Sequence, residues 1–206
     1  MKILLLGATG RVGSRIGAQA LGDGHRVIAL VRKPDKLELA GENLTVVQGD
    51  ALNAEDIGKA MQGVEAVVSA LGTGGATTLS ESMPLVIRAM NERGIRRIVS
   101  VGTAGILRSR AEPDLLRYES SESRRRSTFA AEEHRRAYEL LERSDLDWTI
   151  VCPTFLPDGE RIGTYRVERD YLPEGGASIS TGDTADFAYS QIGSLEYNRS
   201  RVGIAY

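Results

Sequence analysis

The sequence predicts an α/β fold, a doubly wound parallel sheet with helices on both faces. Two observations carry this prediction. Short apolar runs of strand length alternate with amphipathic helical stretches through the first half of the chain, and the connections between them are short and rich in glycine. The chain has 206 residues and is 41% hydrophobic, which is enough for one domain with a sizeable core. We expect a single domain over residues 1–206, with a small C-terminal elaboration within it at residues 152–182.

Each predicted element rests on a local pattern. Runs rich in Val, Ile and Leu predict strands at 2–6, 27–31, 45–47, 65–70, 97–101, 148–151 and 201–205, with shorter strands at 165–168 and 178–180 in the elaboration. Helical periodicity predicts helices at 14–21, 54–61, 79–93, 129–143 and 184–192. Asn53 and Asp183 are expected to cap the second and last helices. Gly94 ends the third helix, and Pro84 is expected near its start, where proline is tolerated.

A glycine-rich turn lies between the first predicted strand and the first predicted helix. It reads Gly7-Ala8-Thr9-Gly10-Arg11-Val12-Gly13. The first glycine allows a sharp turn, the second lets a pyrophosphate approach the backbone, and the third lets the helix pack close to the sheet. The helix then offers free N–H groups and the positive end of its dipole. Strand, glycine turn and helix in this order predict a Rossmann-type dinucleotide site rather than a simple tight turn.

The end of the second predicted strand bears on which dinucleotide binds. A carboxylate there would accept a hydrogen bond from the ribose 2′-hydroxyl of NAD, but the sequence has Arg32 followed by Lys33. Two cations suit a 2′-phosphate, and a guanidinium can bind phosphate through two parallel hydrogen bonds. Arg11 could add a third cation. We therefore expect NADP(H) as the cofactor, although surface arginines are common in this chain.

Composition excludes several classes of function. A net charge of −2 gives no electrostatic case for binding nucleic acid or an anionic membrane, and the apolar runs are far shorter than a membrane span. The single cysteine, Cys152, excludes an internal disulfide and fits a reducing cytoplasm. No metal site is expected, because His25 and His134 are far apart and no cysteine cluster exists. We expect a cytoplasmic protein, a monomer or weak homodimer, whose partner is a small molecule.

Residues 106–128 interrupt the regular pattern. They are polar and charged, and they include Arg124-Arg125-Arg126. We interpret them as a mobile surface segment that covers the site, with a solvated loop of no particular role as an equal alternative. On an acidic background the arginine triplet is not interpreted as a nucleic-acid patch.

Together these features resemble the NAD(P)H-binding group of atypical short-chain dehydrogenases/reductases, which contains flavin reductase (biliverdin-IXβ reductase) and NmrA-like regulators. The likeness covers nearly the whole chain and depends on the order and spacing of its segments. These are the glycine turn 7–13, Gly49-Asp50, Val67-Val68-Ser69-Ala70-Leu71-Gly72, residues 97–103 and residues 146–153. The length of the chain is most similar to that of the flavin reductase-type members.

The resemblance implies a set of cofactor-binding residues at the carboxyl ends of the predicted strands, where ligands of open α/β sheets bind. Those for the pyrophosphate are Gly7, Thr9, Gly10, Arg11, Val12 and Gly13; those for the adenosine and its 2′-phosphate are Arg32, Lys33, Asp50 and Ala51; those for the ribose and nicotinamide are Ala70, Leu71, Gly72, Gly102, Thr103, Pro153, Thr154 and Phe155. Asp50 could instead be a turn or capping aspartate.

The catalytic pair of ordinary short-chain dehydrogenases is missing. In those enzymes a lysine four residues after a tyrosine lowers the tyrosine pKa, so that the hydroxyl can act as a general acid. Here the lysines are Lys2, Lys33, Lys36 and Lys59, and none follows a tyrosine at that spacing. Thr103 matches the position of a hydroxyl that could orient an acceptor. His134 and Tyr138 lie four residues apart on one helix face and either could donate a proton, with an exposed histidine and a packed tyrosine as the ordinary alternatives.

The predicted function is that of an NADPH-dependent oxidoreductase which transfers a hydride to a flavin, quinone or similar planar acceptor, mainly by positioning the two reactants. The alternative is a non-catalytic, redox-sensing regulator of the NmrA-like type that binds NADP(H) without turnover. A weaker third possibility is action on a carbonyl substrate such as a nucleotide-sugar, which the missing acid disfavours.

Overall fold

The computed structural model describes residues 1–123 and 126–206, and within them one eight-stranded sheet is flanked by five α-helices. The strands are β1 (Lys2–Leu6), β2 (Arg26–Val31), β3 (Leu44–Gln48), β4 (Ala66–Ser69), β5 (Arg97–Val101), β6 (Asp147–Pro153), β7 (Arg166–Arg169) and β8 (Ser200–Ala205). The helices are α1 (Arg11–Gly22), α2 (Ala54–Ala60), α3 (Thr78–Glu92), α4 (Phe129–Glu142) and α5 (Thr181–Ser190).

The strand order in the sheet is β3-β2-β1-β4-β5-β6-β8-β7. Neighbouring strands are parallel except β7, which runs antiparallel to β8 at the edge. The chain winds outward from β1 in one direction and from β4 in the other, so the topological switch point lies between β1 and β4. Ligands of such sheets bind outside the carboxyl ends of the strands at this point.

Two apolar cores hold the helices against the two faces of the sheet. On one face, Ile57 of α2, Met83 of α3 and Leu141 of α4 pack against the sheet. On the other, Ile16 of α1 and Phe187 of α5 do the same. Alternate residues of each central strand are therefore buried in opposite cores, as the continuous apolar runs in the sequence indicate. The predicted doubly wound α/β fold is confirmed.

The C-terminal elaboration differs from the expectation. Residues 165–168 do form a strand, shifted by one residue, and it pairs with β8 as part of the main sheet. Residues 178–180 form no strand; Ser178 makes only an isolated bridge with Phe155. The reason is that α5 begins at Thr181 with Ser180 as its N-cap, so this stretch is the entry to a helix.

Of the two N-capping expectations, one is confirmed and one is corrected. Asn53 caps α2, because its side chain accepts from the N–H groups of Glu55 and Asp56. Asp183 is not the N-cap of α5 but lies in its first turn, where it accepts from the N–H of Ile162 and of Gly163.

Pro84 lies in the interior of α3 rather than near its start, since the helix begins at Thr78. Proline has no N–H to donate to the carbonyl four residues earlier in the helix. Because Pro84 lies on the exposed face of α3, water can hydrogen-bond that carbonyl instead.

Two carboxylates, Glu112 and Glu122, hold the segment after β5 through hydrogen bonds to its backbone. Glu122 accepts from the Ser109 hydroxyl and from the backbone N–H of Arg110 at 2.8 Å, while Glu112 accepts from the N–H of Ser121 at 2.7 Å. This network argues against free mobility of residues 109–122. Arg124 and Arg125 lie outside the described residues, so the interpretation of the arginine triplet stays a prediction.

Among the residues that the structure describes, no helix has both the length and the apolar character needed to cross a membrane.

Candidate functional site

The glycine turn packs directly against the end of β4. Gly7 has φ +83°, and a Cβ there would come within 2.4 Å of the Ala70 carbonyl oxygen. A Cβ on Gly13 would come within 2.1 Å of the Gly7 oxygen. The turn can therefore exist only with glycine at these two positions. Gly10 is the N-cap of α1, and because it has no side chain, the first N–H groups of the helix are left for a ligand.

A groove of about 200 Å³ opens where this turn meets the carboxyl ends of β2, β3 and β4. We call it the switch-point groove. The predicted cofactor residues among its lining are Gly7, Thr9, Gly10, Arg32, Asp50, Ala51, Ala70, Leu71 and Gly72. Their strands end at one edge because the parallel register places Leu6 beside both Leu30 and Ser69. A Cβ on Gly72 would meet no atom within 4 Å, so this residue leaves open space in the groove.

Asp50 lies in this groove with one carboxylate oxygen already used. Its Oδ1 accepts from the Leu52 N–H at 3.0 Å, and its own N–H donates to Asp56. Asp50 is thus a turn aspartate, as the alternative reading of the sequence held, and its position in the groove also allows contact with a ligand.

Next to the switch-point groove is a pocket lined by Thr9, Arg32, Lys33 and Lys36, which we call the cation pocket. Lys36 was missed in the sequence analysis. Pro34 begins a short 3-10 turn, Pro34–Lys36, which brings Lys36 back beside Arg32. The proline was the signal that could have indicated this reversal.

A second and larger groove of about 780 Å³ lies at the carboxyl ends of β5 and β6. We call it the β5–β6 groove. Its lining contains Arg11, Gly102, Thr103, Glu122, Pro153, Thr154, Phe155, Leu156 and Ala177. Sequence analysis missed Glu122, Leu156 and Ala177, which come from loops without a recognisable motif. The two grooves are adjacent, because Gly10 lines the first and Arg11, the next residue, lines the second.

Arg11 is therefore not the third cation for a 2′-phosphate. Its Nη1 donates to the carbonyl oxygen of Leu156 at 3.1 Å and to Asp158 at 3.0 Å. The side chain points away from the cation pocket because α1 begins at Arg11, three residues earlier than expected, and its first turn faces the loop after β6. Val12 is buried in the core below α1, so only its backbone is available to a ligand.

Thr103 is at the carboxyl end of β5, where it caps a short 3-10 turn, Ala104–Ile106. Its Oγ1 accepts from the Gly105 N–H at 3.4 Å. Cys152 packs behind it, fully buried, and burial raises the pKa of its thiol to about 12. Cys152 is accordingly a neutral thiol in the wall below the groove.

The structure does not bring Tyr138 to either groove. Its ring packs edge-on against Trp148, at the start of β6, with the Arg201 guanidinium 4.4 Å from its centre. Tyr138 is not among the described residues that line the switch-point groove or the β5–β6 groove. The hydroxyl donates to Glu142. Burial, together with this carboxylate, raises the pKa of Tyr138 to about 12.

His134 lies one helical turn before Tyr138 and is half-buried. It is not among the described residues that line the β5–β6 groove. Within the same part of the chain, no three or more His, Cys, Asp or Glu side chains are grouped so as to hold a metal ion.

The fold and the glycine turn match a known family of proteins. The chain belongs to the NAD(P)H-binding family, whose model matches residues 7–194. The resemblance drawn from the sequence is confirmed. The uncharacterized protein YwnB of Bacillus subtilis is 28% identical over 204 residues, which cover 96% of this chain and 93% of YwnB.

Solved structures with similar folds extend over the whole chain. A candidate exported protein from Burkholderia pseudomallei has 30% sequence identity and a TM-score of 0.86, and the match covers 100% of both chains. ChuY, an anaerobilin reductase from Escherichia coli O157:H7, has 25% identity and a TM-score of 0.81, covering 100% of this chain and 97% of ChuY.

Proposed function

We propose that this protein is an NADPH-dependent reductase of a flavin, quinone or similar planar acceptor. The observation that carries the proposal is the adjacency of the two grooves. One is built from the glycine turn and flanked by the cation pocket, and the other is open and large enough for a multi-ring molecule. The similarity to ChuY, a reductase, supports the same chemistry.

The residues of the switch-point groove fit a dinucleotide. The space kept free at Gly10 and the N–H groups at the start of α1 suit a pyrophosphate. Asp50 and Ala51 would contact the adenosine, and Ala70, Leu71 and Gly72 would border the passage toward the nicotinamide.

The cation pocket is the basis for NADPH over NADH. Arg32, Lys33 and Lys36 surround a space beside Thr9, and no carboxylate lines that space among the described residues. Such a pocket favours a 2′-phosphate and offers no acceptor for a free 2′-hydroxyl.

When bound, the nicotinamide supplies a hydride. The protein's own part is positioning. Pro153, Thr154 and Phe155 form the wall of the β5–β6 groove, and Thr103 orients the acceptor through its hydroxyl. Tyr138 and His134 take no part in this scheme. Since the groove is open to solvent, an acceptor that stabilises its own negative charge can take its proton from water.

The proposal is tested by an NADPH oxidation screen with FMN, riboflavin, quinones and biliverdin. Oxidation that requires one of these acceptors supports the reductase. The matched control is Gly72→Val, which should fill the switch-point groove and abolish turnover. If NADPH binds but no acceptor is reduced, the protein is instead a redox-sensing regulator of the NmrA-like type.

A single domain over residues 1–206, a monomer or weak homodimer, and a cytoplasmic location belong to the same proposal, since cytoplasmic NADPH would supply the reaction. The relative from Burkholderia pseudomallei that carries "exported" in its name favours another location. Fractionation of cells that express this protein distinguishes the two.

A further inference from the structure

The two charged side chains in the described lining of the β5–β6 groove differ in how far the protein neutralises them. They are Arg11 and Glu122. The carboxylate of Glu122 is already hydrogen-bonded within the protein. It accepts from the Ser109 hydroxyl, from the Arg110 N–H and, at 3.0 Å, from Arg117. Burial alone would raise the pKa of Glu122, but these donors outweigh it and lower the pKa. Glu122 is therefore a carboxylate whose charge is matched by Arg117.

Arg11 is only partly engaged. Both of its hydrogen bonds use Nη1, so within the described residues Nη2 and Nε make none. Its side chain is 57% exposed, and that of its partner Asp158 is 72% exposed. An ion pair this open contributes little stability, and an incoming anion can displace it. The groove thus presents one cation beside the exposed ring of Phe155.

We propose that Arg11 binds an acidic group of the acceptor, so that the acceptor is a planar molecule that carries a carboxylate or phosphate. This inference rests on the proposed function and narrows its substrate class. The unused face of the guanidinium can form a two-pronged contact with such a group. The planar part of the same molecule then lies along the apolar wall of Pro153 and Phe155.

FMN and riboflavin are the probes, because they share one ring system and differ by a phosphate. Their dissociation constants are measured by flavin fluorescence with NADP+ at saturation, so that the switch-point groove is filled, and at fixed salt. We expect FMN to bind about tenfold tighter than riboflavin. Arg11→Met should remove this difference by weakening FMN alone.

Arg15→Met is the matched control. Arg15 lies one turn further along α1 and pairs with Glu160 on the same loop, at 2.9 Å, but does not belong to the lining of the groove. It should keep the preference for FMN.

Asp158→Asn separates anion binding from a purely structural role. If Arg11 only ties the loop to α1, both Arg11→Met and Asp158→Asn loosen the same contact and should change FMN binding in the same direction. If Arg11 binds the acidic group, Asp158→Asn removes a competing carboxylate and should tighten FMN severalfold while leaving riboflavin unchanged.

Equal affinities for FMN and riboflavin, or no measurable FMN binding, overturn the inference. So does an Arg11→Met variant that loses NADPH affinity but keeps the FMN preference, because Arg11 would then serve the dinucleotide. These results are independent of the oxidation screen. Reduction of both flavins with equal kcat/KM would retain the reductase and reject the role of Arg11, whereas Arg11-dependent FMN binding without NADPH oxidation would retain the site and reject the reductase.

Discussion

Gly13 lies directly against Gly7, so that a Cβ on Gly13 would come within 2.1 Å of the Gly7 carbonyl oxygen. This contact joins the first turn of α1 to the end of β1. Gly72, by contrast, faces open space in the switch-point groove. Glycines of one site thus have two different roles, close packing of the backbone and room for a ligand.

Substitutions at these glycines should separate stability from binding. Gly13→Ala should destabilise the protein by about 1–3 kcal/mol, because the methyl group has no space. Gly72→Val should leave the thermal unfolding midpoint unchanged while weakening NADPH more than about tenfold. Thermal unfolding and cofactor titration on both variants check this. A Gly72→Val protein that binds NADPH normally would show that the groove is not the dinucleotide site.

The cation pocket should determine cofactor preference. We expect NADPH to bind about tenfold tighter than NADH, which corresponds to about 1.4 kcal/mol, within the range of one charge-assisted phosphate contact. Arg32→Ala should weaken NADPH and leave NADH unchanged, and Lys36→Ala should do so to a smaller extent. Arg26→Ala, an exposed arginine at the opposite end of β2, is the control. The prediction fails if wild-type protein binds both cofactors equally when they are titrated by fluorescence at fixed salt.

The central fold was predictable because its signal is local. Each of β1, β2 and β4 is a continuous apolar run, buried on both faces, and this pattern does not depend on partners far along the chain. The glycine turn was equally readable, since its neighbours are the strand and helix that the motif requires. The capping role of Asn53 was also predictable, because an N-cap depends only on the residue that directly precedes its helix.

What the sequence did not predict depends on contacts between distant segments. The direction of the Arg11 side chain follows from Asp158, 147 residues away in the chain. The packing of Tyr138 follows from its contacts with Trp148 on β6 and Arg201 on β8. Periodicity places Tyr138 on a helix face but does not say which side chains pack against that face. The sequence offered a proton-donor role for Tyr138 beside the alternative of a packed tyrosine, and its contacts with Trp148 and Glu142 are those of a packed tyrosine.

Thr103 should matter more for turnover than Tyr138 or Tyr165. Thr103→Val should lower kcat/KM by about tenfold through loss of an orienting hydrogen bond, and Thr103→Ser should restore most of it. Tyr138→Phe should cost much less, since its hydroxyl donates to Glu142 away from the groove. Tyr165→Phe should also cost little, because the Tyr165 hydroxyl donates a hydrogen bond to Asp186.

Steady-state kinetics on the four variants, with the best acceptor from the screen, decide between these side chains. An inactive Tyr138→Phe or Tyr165→Phe variant beside a normal Thr103→Val variant would mean that a tyrosine acid operates.

Asp183 should make the stability of the protein depend on pH in the acid range. Burial alone would raise the pKa of this carboxyl, but hydrogen bonds from the Tyr206 hydroxyl, the N–H groups of Gly163 and Ile162, and Ser180 outweigh burial and lower the pKa. A carboxyl whose folded pKa is lowered stabilises the native state above its unfolded pKa, about 3.9, and this contribution is lost as the pH falls through the folded value.

Asp183→Asn should therefore lower the free energy of unfolding by about 1–3 kcal/mol at neutral pH, because the amide makes a poorer acceptor for the same donors. The difference from wild type should shrink as the pH is lowered below about 4, because the unfolded carboxyl then takes up a proton, and the stabilisation is gone once the pH falls through the lower pKa of the folded state. Urea unfolding at a series of pH values measures both effects. Asp158→Asn, whose carboxylate is 72% exposed, is the control and should leave stability unchanged at every pH. A difference between Asp183→Asn and wild type that stays constant from neutral to acid pH would show that the charge of Asp183 contributes nothing, and that only its shape holds the loop 157–163 against α5.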